Sequence, residues 1–243
     1  MGRLKKVSGR KIVLCAVFFC AFATSAGTLA RVAAAADTPP VQLAYAVPGP
    51  AAGTSSAPIA RTLFRAVDTD LFPKWHSAIT RTDAQLRGAM PTSISAAEAV
   101  KVRDVFDRMV AQAAAQSGFN MLVTVNELIN AVPYRTDQEV YGVSDYWATP
   151  VEMLAAGGGD CEDHAIAKLA VLRQAGISSD KLRLVVGIDT TTGKPHAMAA
   201  AEVDGVTYAL DGRTNRVLEW NNTDLRFKPL YAAGFHKAWI YRS

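Results

Sequence analysis

Cys161 lies between carboxylates in the segment 159–163, which reads Gly-Asp-Cys-Glu-Asp. The other two cysteines, Cys15 and Cys20, lie in an apolar amino-terminal run that we expect to be removed on export. Cys161 then has no intramolecular disulfide partner, which leaves packing, metal ligation, intermolecular pairing or catalysis as its role. An isolated cysteine commonly packs as a small hydrophobic group. The adjacent carboxylates count against that role, because dense charge is costly to bury beside an inert thiol.

The residues around Cys161 predict a helix that begins at the thiol. Asp160 is a typical N-cap residue, and apolar residues recur at helical spacing until Gly176, where we expect the helix to end. In the first turn of a helix, unpaired backbone N–H groups and the helix dipole favour a thiolate. The glycines at 157–159 would let another backbone approach closely, as an oxyanion site and a substrate groove require.

Two downstream residues could activate the thiol. Asp204-Gly205 is a two-residue hairpin signal between strands predicted at 197–203 and 206–210. In that register Asp211 is the diagonal neighbour of His196 on one face, with Cβ atoms about 7–8 Å apart. The carboxylate would fix the imidazole tautomer and leave the other ring nitrogen for the thiol. Taken alone, His196 would be an ordinary surface residue and Asp211 part of a turn.

The elements that must hold these residues come as helices first and strands after. Apolar spacing and capping residues predict helices before Cys161 at 95–116, 121–129 and 149–154. Beyond Gly176 the apolar period changes to two, which predicts strands at 182–188, 197–203, 206–210 and 238–241. This order is typical of the α+β class.

The amino terminus predicts an export signal over residues 1–36. Five basic residues precede an apolar run from Ile12 to about Ala23, and small residues then offer cleavage after Ala26 or Ala36. The run is short for a membrane span, which needs about 20 apolar residues, so an uncleaved anchor is the weaker alternative. We expect a linker and amino-terminal arm at 37–84, one domain at 85–243, and a periplasmic or secreted protein.

The positive charge of the chain belongs to that signal. The formal net charge is +4, but residues 1–36 hold six Lys or Arg and no acid, which leaves 20 basic against 22 acidic residues. The remainder has no basic patch that would argue for nucleic acid as a partner. Binding of DNA or RNA is therefore not expected.

Four segments of the chain together resemble one family. They are Asp-Tyr-Trp-Ala-Thr-Pro-x-Glu at 145–152, Gly-Asp-Cys-Glu-Asp-x-Ala-Ile-Ala-Lys at 159–168, His-Ala at 196–197 and Tyr-x-Leu-Asp at 208–211. These are similar to the bacterial transglutaminase-like cysteine proteinases, whose best-studied members are the LapG-type periplasmic proteases. The resemblance covers about residues 119–211, and the block around the cysteine is the most specific part.

The resemblance implies a papain/transglutaminase-like core, in which a nucleophile at a helix N-terminus packs on an antiparallel sheet that carries His and Asp. It implies Cys161 as nucleophile, His196 as general base and Asp211 as the orienting acid. It also implies a protein substrate, the amino-terminal region of a large surface adhesin cut next to a double alanine. An inner-membrane receptor that responds to cyclic di-GMP would hold such a protease back.

The resemblance further implies that Asp160, Glu162 and Asp163 bind Ca²⁺. Calcium needs six to eight oxygen ligands, and a run this short supplies only some of them. Alternatively, carboxylates at a helix N-terminus simply complement the helix dipole.

Two departures from the family pattern and two other functions remain to be weighed. His164 stands where an aromatic residue is expected, and Gly212 where Asn is expected. His164 shares the helix face of Cys161 and could ligate a metal, although we expect it to face solvent or line the groove.

The same triad would serve a transglutaminase or amidase. A non-catalytic calcium- or peptide-binding module is the other alternative, and the intact Cys-His-Asp set argues against it.

Overall fold

The computed structural model describes residues 63–89, 91 and 94–241. The export signal predicted at 1–36 and most of the linker and arm predicted at 37–84 lie outside these residues and stay predictions. Among the described residues, no helix combines the length and the apolar character needed to cross a bilayer.

The described residues form six α-helices and an antiparallel sheet, of which one edge strand precedes the helices and the other strands follow them. The helices are α1 Pro73–Leu86, α2 Ala96–Ala114, α3 Gly118–Asn130, α4 Asp137–Val140, α5 Pro150–Ala156 and α6 Cys161–Gln174. The strands are β1 Leu63–Val67, β2 Leu182–Asp189, β3 Pro195–Val203, β4 Val206–Leu210, β5 Val217–Glu219, β6 Phe227–Ala233 and β7 Ala238–Tyr241. They form one seven-stranded sheet in the order β1-β7-β6-β2-β3-β4-β5. The predicted α+β class is confirmed.

Helices predicted from capping residues begin where the caps lie. Ser95 is the N-cap of α2, and its hydroxyl accepts a hydrogen bond of 3.2 Å from the backbone N–H of Glu98. Thr149 and Glu152 form a reciprocal capping box at the start of α5, with Pro150 at the first helical position. These caps satisfy backbone N–H groups that have no partner within the helix, so local sequence alone fixes these helix starts.

Strand β6 was not predicted, because proline weakens the signal for a strand. Pro229 pairs with Gly187 in β2, at the point where the register between β2 and β6 shifts. A Cβ atom on Gly187 would lie 2.3 Å from the carbonyl oxygen of Lys228 and 2.8 Å from the Cα atom of Pro229. A bulge opposite a glycine therefore admits the proline into an interior strand.

Residues 63–84, which lie in the region predicted as an amino-terminal arm, pack on the same core. Strand β1 pairs with β7, and Trp75 of α1 is buried and donates a 2.8 Å hydrogen bond to the carbonyl oxygen of Gly234. Arg81 of α1 reaches both the carboxylate of Glu152 and the carbonyl oxygen of Trp147. Helix α1 thus braces the segment that leads to the cysteine helix.

Helix α6 is the centre of the core. Its residues from Asp163 to Leu172 are all buried. It packs against β3 on one side and against α2, α3 and α5 on the others. Ala197, Ala199 and Ala201 of β3 are buried against it. The sheet therefore meets α6 with small side chains, which permit a close approach of helix and strand.

Candidate active site

The thiol of Cys161 lies at the first residue of α6, half-buried and without a disulfide. Its S–H donates to Glu162 Oε2 at 3.0 Å. The backbone N–H of Ala197 lies close enough to the sulfur to favour its charged form, so the start of α6 meets the start of β3. The thiol therefore lies next to the backbone of His196.

The electrostatic surroundings of the thiol differ from the sequence expectation. Burial raises the pKa of Cys161, and the carboxylates of Glu162 and Asp160 raise it further. Asp160 occupies the N-cap position, but its side chain makes no capping hydrogen bond. Burial and negative charge therefore act against the stabilisation of a thiolate that the helix N-terminus was expected to provide.

His196 and Asp211 lie together, as the hairpin register predicts. Val203 pairs with Val206 and Ala199 with Leu210, and the turn residues Asp204 and Gly205 have the positive φ angles of the expected hairpin turn. The ring nitrogen Nε2 of His196 lies 2.9 Å from Asp211 Oδ1, and both side chains are buried. Nδ1 makes no hydrogen bond with a described residue, so this nitrogen is left to meet a thiol. Catalytic hydrogen bonds are often completed only in the substrate complex.

Arg213 also contacts Asp211, and we did not anticipate it as a site residue. Its guanidinium donates to both carboxylate oxygens, with distances of 2.6 to 3.1 Å. Burial by itself would raise the pKa of Asp211, but the hydrogen bonds from His196 and Arg213 outweigh it and hold that pKa well below its usual range. The hairpin register places position 213 opposite position 196, and that signal could have identified Arg213.

The glycines before Cys161 allow close approach of a second backbone segment, as predicted. Tyr134 forms a parallel bridge with Gly159, and the N–H of Arg135 donates to the carbonyl oxygen of Gly159 at 2.9 Å. A Cβ atom on Gly158 would lie 2.8 Å from the carbonyl oxygen of Pro133. Segment 133–135 and the glycine loop are therefore joined by backbone hydrogen bonds beside the thiol. The side chain of Tyr134 is largely exposed to solvent there.

His164 was expected to face solvent or line the groove, and that expectation is wrong. Its side chain is buried, and Nδ1 lies 2.7 Å from the carbonyl oxygen of Asp160. Nε2 lies 3.0 Å from the carbonyl oxygen of Val132. With both nitrogens engaged by backbone carbonyls, His164 fastens the start of α6 to the end of α3 and is not free to ligate a metal.

A cluster of carboxylates lies next to the thiol. Oxygens of Asp160 and Asp163 lie within 4.8 Å of each other and of Asp137, which was missed because it comes 23 residues earlier, in α4. A further group within the same distance joins Glu162 to Asp137 and Asp145. Asp145 forms a salt bridge with Lys74 of α1. The fold thus brings Asp137 and Asp145 to the carboxylates of Asp160, Glu162 and Asp163, which are already neighbours in sequence.

Three oxygens of this cluster are buried and have no partner among the described residues: Asp137 Oδ1, Asp160 Oδ1 and Asp163 Oδ2. Burial and the neighbouring carboxylates raise the pKa of Asp160 to about 9, and burial first of all raises that of Asp163 to about 7. The second oxygens of Asp137 and Asp163 are held by the backbone N–H groups of Tyr146 and Ala148. Fixed carboxylates with free oxygens are the donors that a hard divalent cation prefers, so the residues fit calcium.

The family model for bacterial transglutaminase-like cysteine proteinases matches residues 98–241, which span more than half of the chain. The chain belongs to this family. As a bacterial transglutaminase-like cysteine proteinase it is a cysteine peptidase, and the resemblance noted in its sequence is confirmed. No curated protein matches the chain.

Among solved structures, this cysteine proteinase is similar to calcium-bound LapG of Legionella pneumophila, with 24% identity and a TM-score of 0.52. That match covers 67% of this chain and 87% of the LapG chain. The EGTA-treated form of Legionella LapG matches with the same identity, a TM-score of 0.51, and coverage of 67% and 85%. At this identity the likeness establishes the fold, a cysteine-protease core of the predicted kind.

We expect Gly159→Ala to lower the activity of this proteinase about 100-fold. The added Cβ would lie 2.6 Å from Asp163 Oδ2, 2.7 Å from the Cβ atom of Asp163 and 2.9 Å from Met153 Cγ, so the loop before Cys161 must shift. A displacement of about 1 Å at a catalytic group can cost about 100-fold in rate. The measurement is peptide hydrolysis, together with circular dichroism to monitor folding.

Gly212→Ala is the control, since its Cβ would meet no atom closer than 3.8 Å. Equal activity of both variants would contradict the close approach.

Proposed function

We propose that this protein is an exported cysteine protease that cleaves a protein substrate through Cys161, His196 and Asp211. The observation that carries the proposal is the 2.9 Å contact between His196 and Asp211, at the start of the strand β3 that packs against the helix of Cys161. A nucleophile, a base and a group that orients the base are the minimum set for acyl transfer through a covalent intermediate.

In this mechanism the free Nδ1 of His196 takes the thiol proton as the sulfur of Cys161 bonds to the carbonyl carbon of the scissile peptide. The imidazolium then gives that proton to the leaving amine, and a thioester remains. Water, deprotonated by His196, hydrolyses the thioester and regenerates the thiol. Asp211 accepts the Nε2–H bond throughout, which keeps the proton off Nδ1 in the resting state and stabilises the imidazolium.

The triad proposal predicts a specific ranking of variants. Cys161→Ala should retain less than about a hundredth of the wild-type rate, since members of a covalent catalytic set act as a unit. His196→Ala should be as damaging, and Asp211→Asn less so, because an amide holds the ring but does not stabilise imidazolium. Hydrolysis of quenched-fluorescence peptides that contain Ala-Ala measures this.

The exposed His236 supplies the control, since His236→Ala should hydrolyse these peptides at the wild-type rate. Cys161→Ala should also keep the wild-type melting temperature, because alanine is tolerated at a helix start. Substantial hydrolysis by Cys161→Ala would rule out covalent catalysis by this thiol.

For the substrate, we propose the amino-terminal region of a large surface adhesin, cut outside the cytoplasm under control of an inner-membrane receptor. Family membership and the export signal predicted at 1–36 support this. Cells that carry Cys161→Ala should retain on their surface a large protein that wild-type cells release, as surface proteomics would detect. An unchanged surface proteome would contradict adhesin release. If a glutamine peptide and a primary amine become cross-linked instead, the same triad serves acyl transfer.

We also propose that Asp160, Glu162 and Asp163 hold Ca²⁺ together with Asp137. Their support is the set of buried carboxylate oxygens that have no partner among the described residues. Calcium would neutralise mutual repulsion there and order the loop before α6. Glu162 is also the residue that now accepts the thiol hydrogen bond. Ligation of that carboxylate would compete with the contact and free the thiol to meet His196.

If this is correct, EGTA should lower both the melting temperature and the rate of peptide hydrolysis. Saturating calcium at about 100 times its Kd contributes about 2.7 kcal/mol, which corresponds to a shift of roughly 5–10 °C for a domain of this size. Added calcium should restore both quantities, and magnesium should do so poorly. Asp137→Asn should weaken the calcium response, with exposed Asp107→Asn as its control. The assignment fails if EGTA changes neither melting nor turnover.

A further inference from the structure

We infer that Arg213, which forms ion pairs with both Asp211 and Asp189, is a positioning residue of this protease. It fixes the orientation of Asp211 and sets the electrostatic potential at the imidazole of His196. The inference rests on the proposed triad. A triad of this kind needs only one acid to orient the imidazole. Here Asp211 also binds the guanidinium of Arg213, and Arg213 binds Asp189. Together with His196, these side chains form one connected series of charge-assisted hydrogen bonds.

The first link fixes the carboxylate of Asp211 in one orientation. Arg213 Nε lies 3.1 and 2.9 Å from its two oxygens, and Nη2 lies 2.6 Å from Oδ2. The backbone N–H of Arg213 also donates to Oδ1 at 2.9 Å, and Oδ1 is the oxygen that meets His196. A bidentate guanidinium on one edge leaves the carboxylate little freedom to rotate away from the imidazole.

The second link connects Arg213 to the far side of β3. Arg213 Nη1 lies 2.8 Å from Asp189 Oδ2, and Asp189 is the last residue of β2. Asp189 is held in turn by the N–H of Thr191 at 2.8 Å and by the hydroxyl of Thr192 at 3.0 Å. Arg213 therefore bridges the ends of the two strands that flank β3, at the point where β3 presents His196.

The charges of Asp211, Arg213 and Asp189 do not cancel, and the remaining charge sets the electrostatic potential at the imidazole of His196. One guanidinium is shared by two carboxylates, so a net negative charge is left beside the imidazole. Removal of Asp189 would leave Arg213 to neutralise Asp211 alone, whereas removal of Arg213 would expose the full charge of Asp211. Buried Lys168 of α6 also faces this group, since its charge acts on Asp211 and its Nζ lies 3.4 Å from the carbonyl oxygen of Leu210. Lys168 is unchanged in all of the variants described below, so its charge does not affect their comparison.

The two substitutions should therefore shift the pH dependence in opposite directions, which a merely structural salt bridge would not do. In Arg213→Met, imidazolium is stabilised, and the limb of the kcat/KM profile that reports protonation of His196 should move to higher pH. In Asp189→Asn, imidazolium is destabilised, and the limb should move to lower pH. Each shift should be about half a pH unit, the size expected for one charge near a protein surface.

The rates provide the second readout. Arg213→Met should lose about 10- to 100-fold in kcat with little change in KM, because the misplaced base affects the chemical step and not substrate binding. Arg213→Lys should recover part of the loss, since it restores the charge without the bidentate fork. Arg216→Gln is the matched control: Arg216 lies in the same loop, is largely exposed and pairs only with exposed Asp224 among the described residues.

The experiment measures pH profiles of peptide hydrolysis for these variants, using the Ala-Ala peptide that the wild type cleaves fastest. Opposite shifts, with partial recovery by Arg213→Lys, support the inference. Wild-type kinetics in Arg213→Met, an equal loss in Arg216→Gln, or shifts in one direction overturn it. If Arg213→Met does not fold, the comparison of Asp189→Asn with Arg213→Lys decides. His196→Ala is assayed alongside, and only its activity would show that the triad proposal itself has failed.

Discussion

The packing of α6 on the alanine face of β3 is the interaction on which the site depends. Ala197, Ala199 and Ala201 are buried against a helix that is itself buried from Asp163 to Leu172. Small side chains on the strand let the helix approach closely, as large ones would not. The start of α6 therefore meets the start of β3, and the sulfur of Cys161 reaches the backbone N–H of Ala197.

Charge is distributed unequally on the two sides of that contact. On the side of His196, Asp211 is matched by Arg213, and Arg213 is shared with Asp189. On the side of Cys161, the buried oxygens of Asp137, Asp160 and Asp163 lack partners among the described residues. Uncompensated buried carboxylates are costly, and protonation or a bound cation relieves that cost. The carboxylates beside His196 thus have a cationic partner among the described residues, whereas those beside Cys161 form the calcium site that we propose.

Much of the fold could be predicted where local signals are strong. The two-residue turn at 204–205 fixed the hairpin register, and with it the contact between His196 and Asp211. Capping residues gave the starts of α2 and α5. Strand β6 was missed because Pro229 is tolerated only through a bulge opposite Gly187, a feature of the sheet and not of the segment. Helix α1 was missed because its buried face gains its stability from Gly234 and Glu152, far along the chain.

By itself, the sequence determined the family and the residues of the candidate site: a cysteine at a helix start, and a histidine and an aspartate that a short hairpin pairs. Such features depend on neighbours a few residues away, so they can be inferred without the fold. The tertiary structure decided the surroundings of those residues. It buried His164 between two carbonyl oxygens, added Asp137 to the carboxylate cluster and brought Asp189 to Arg213. These contacts join distant segments through burial and charge, which no local pattern encodes.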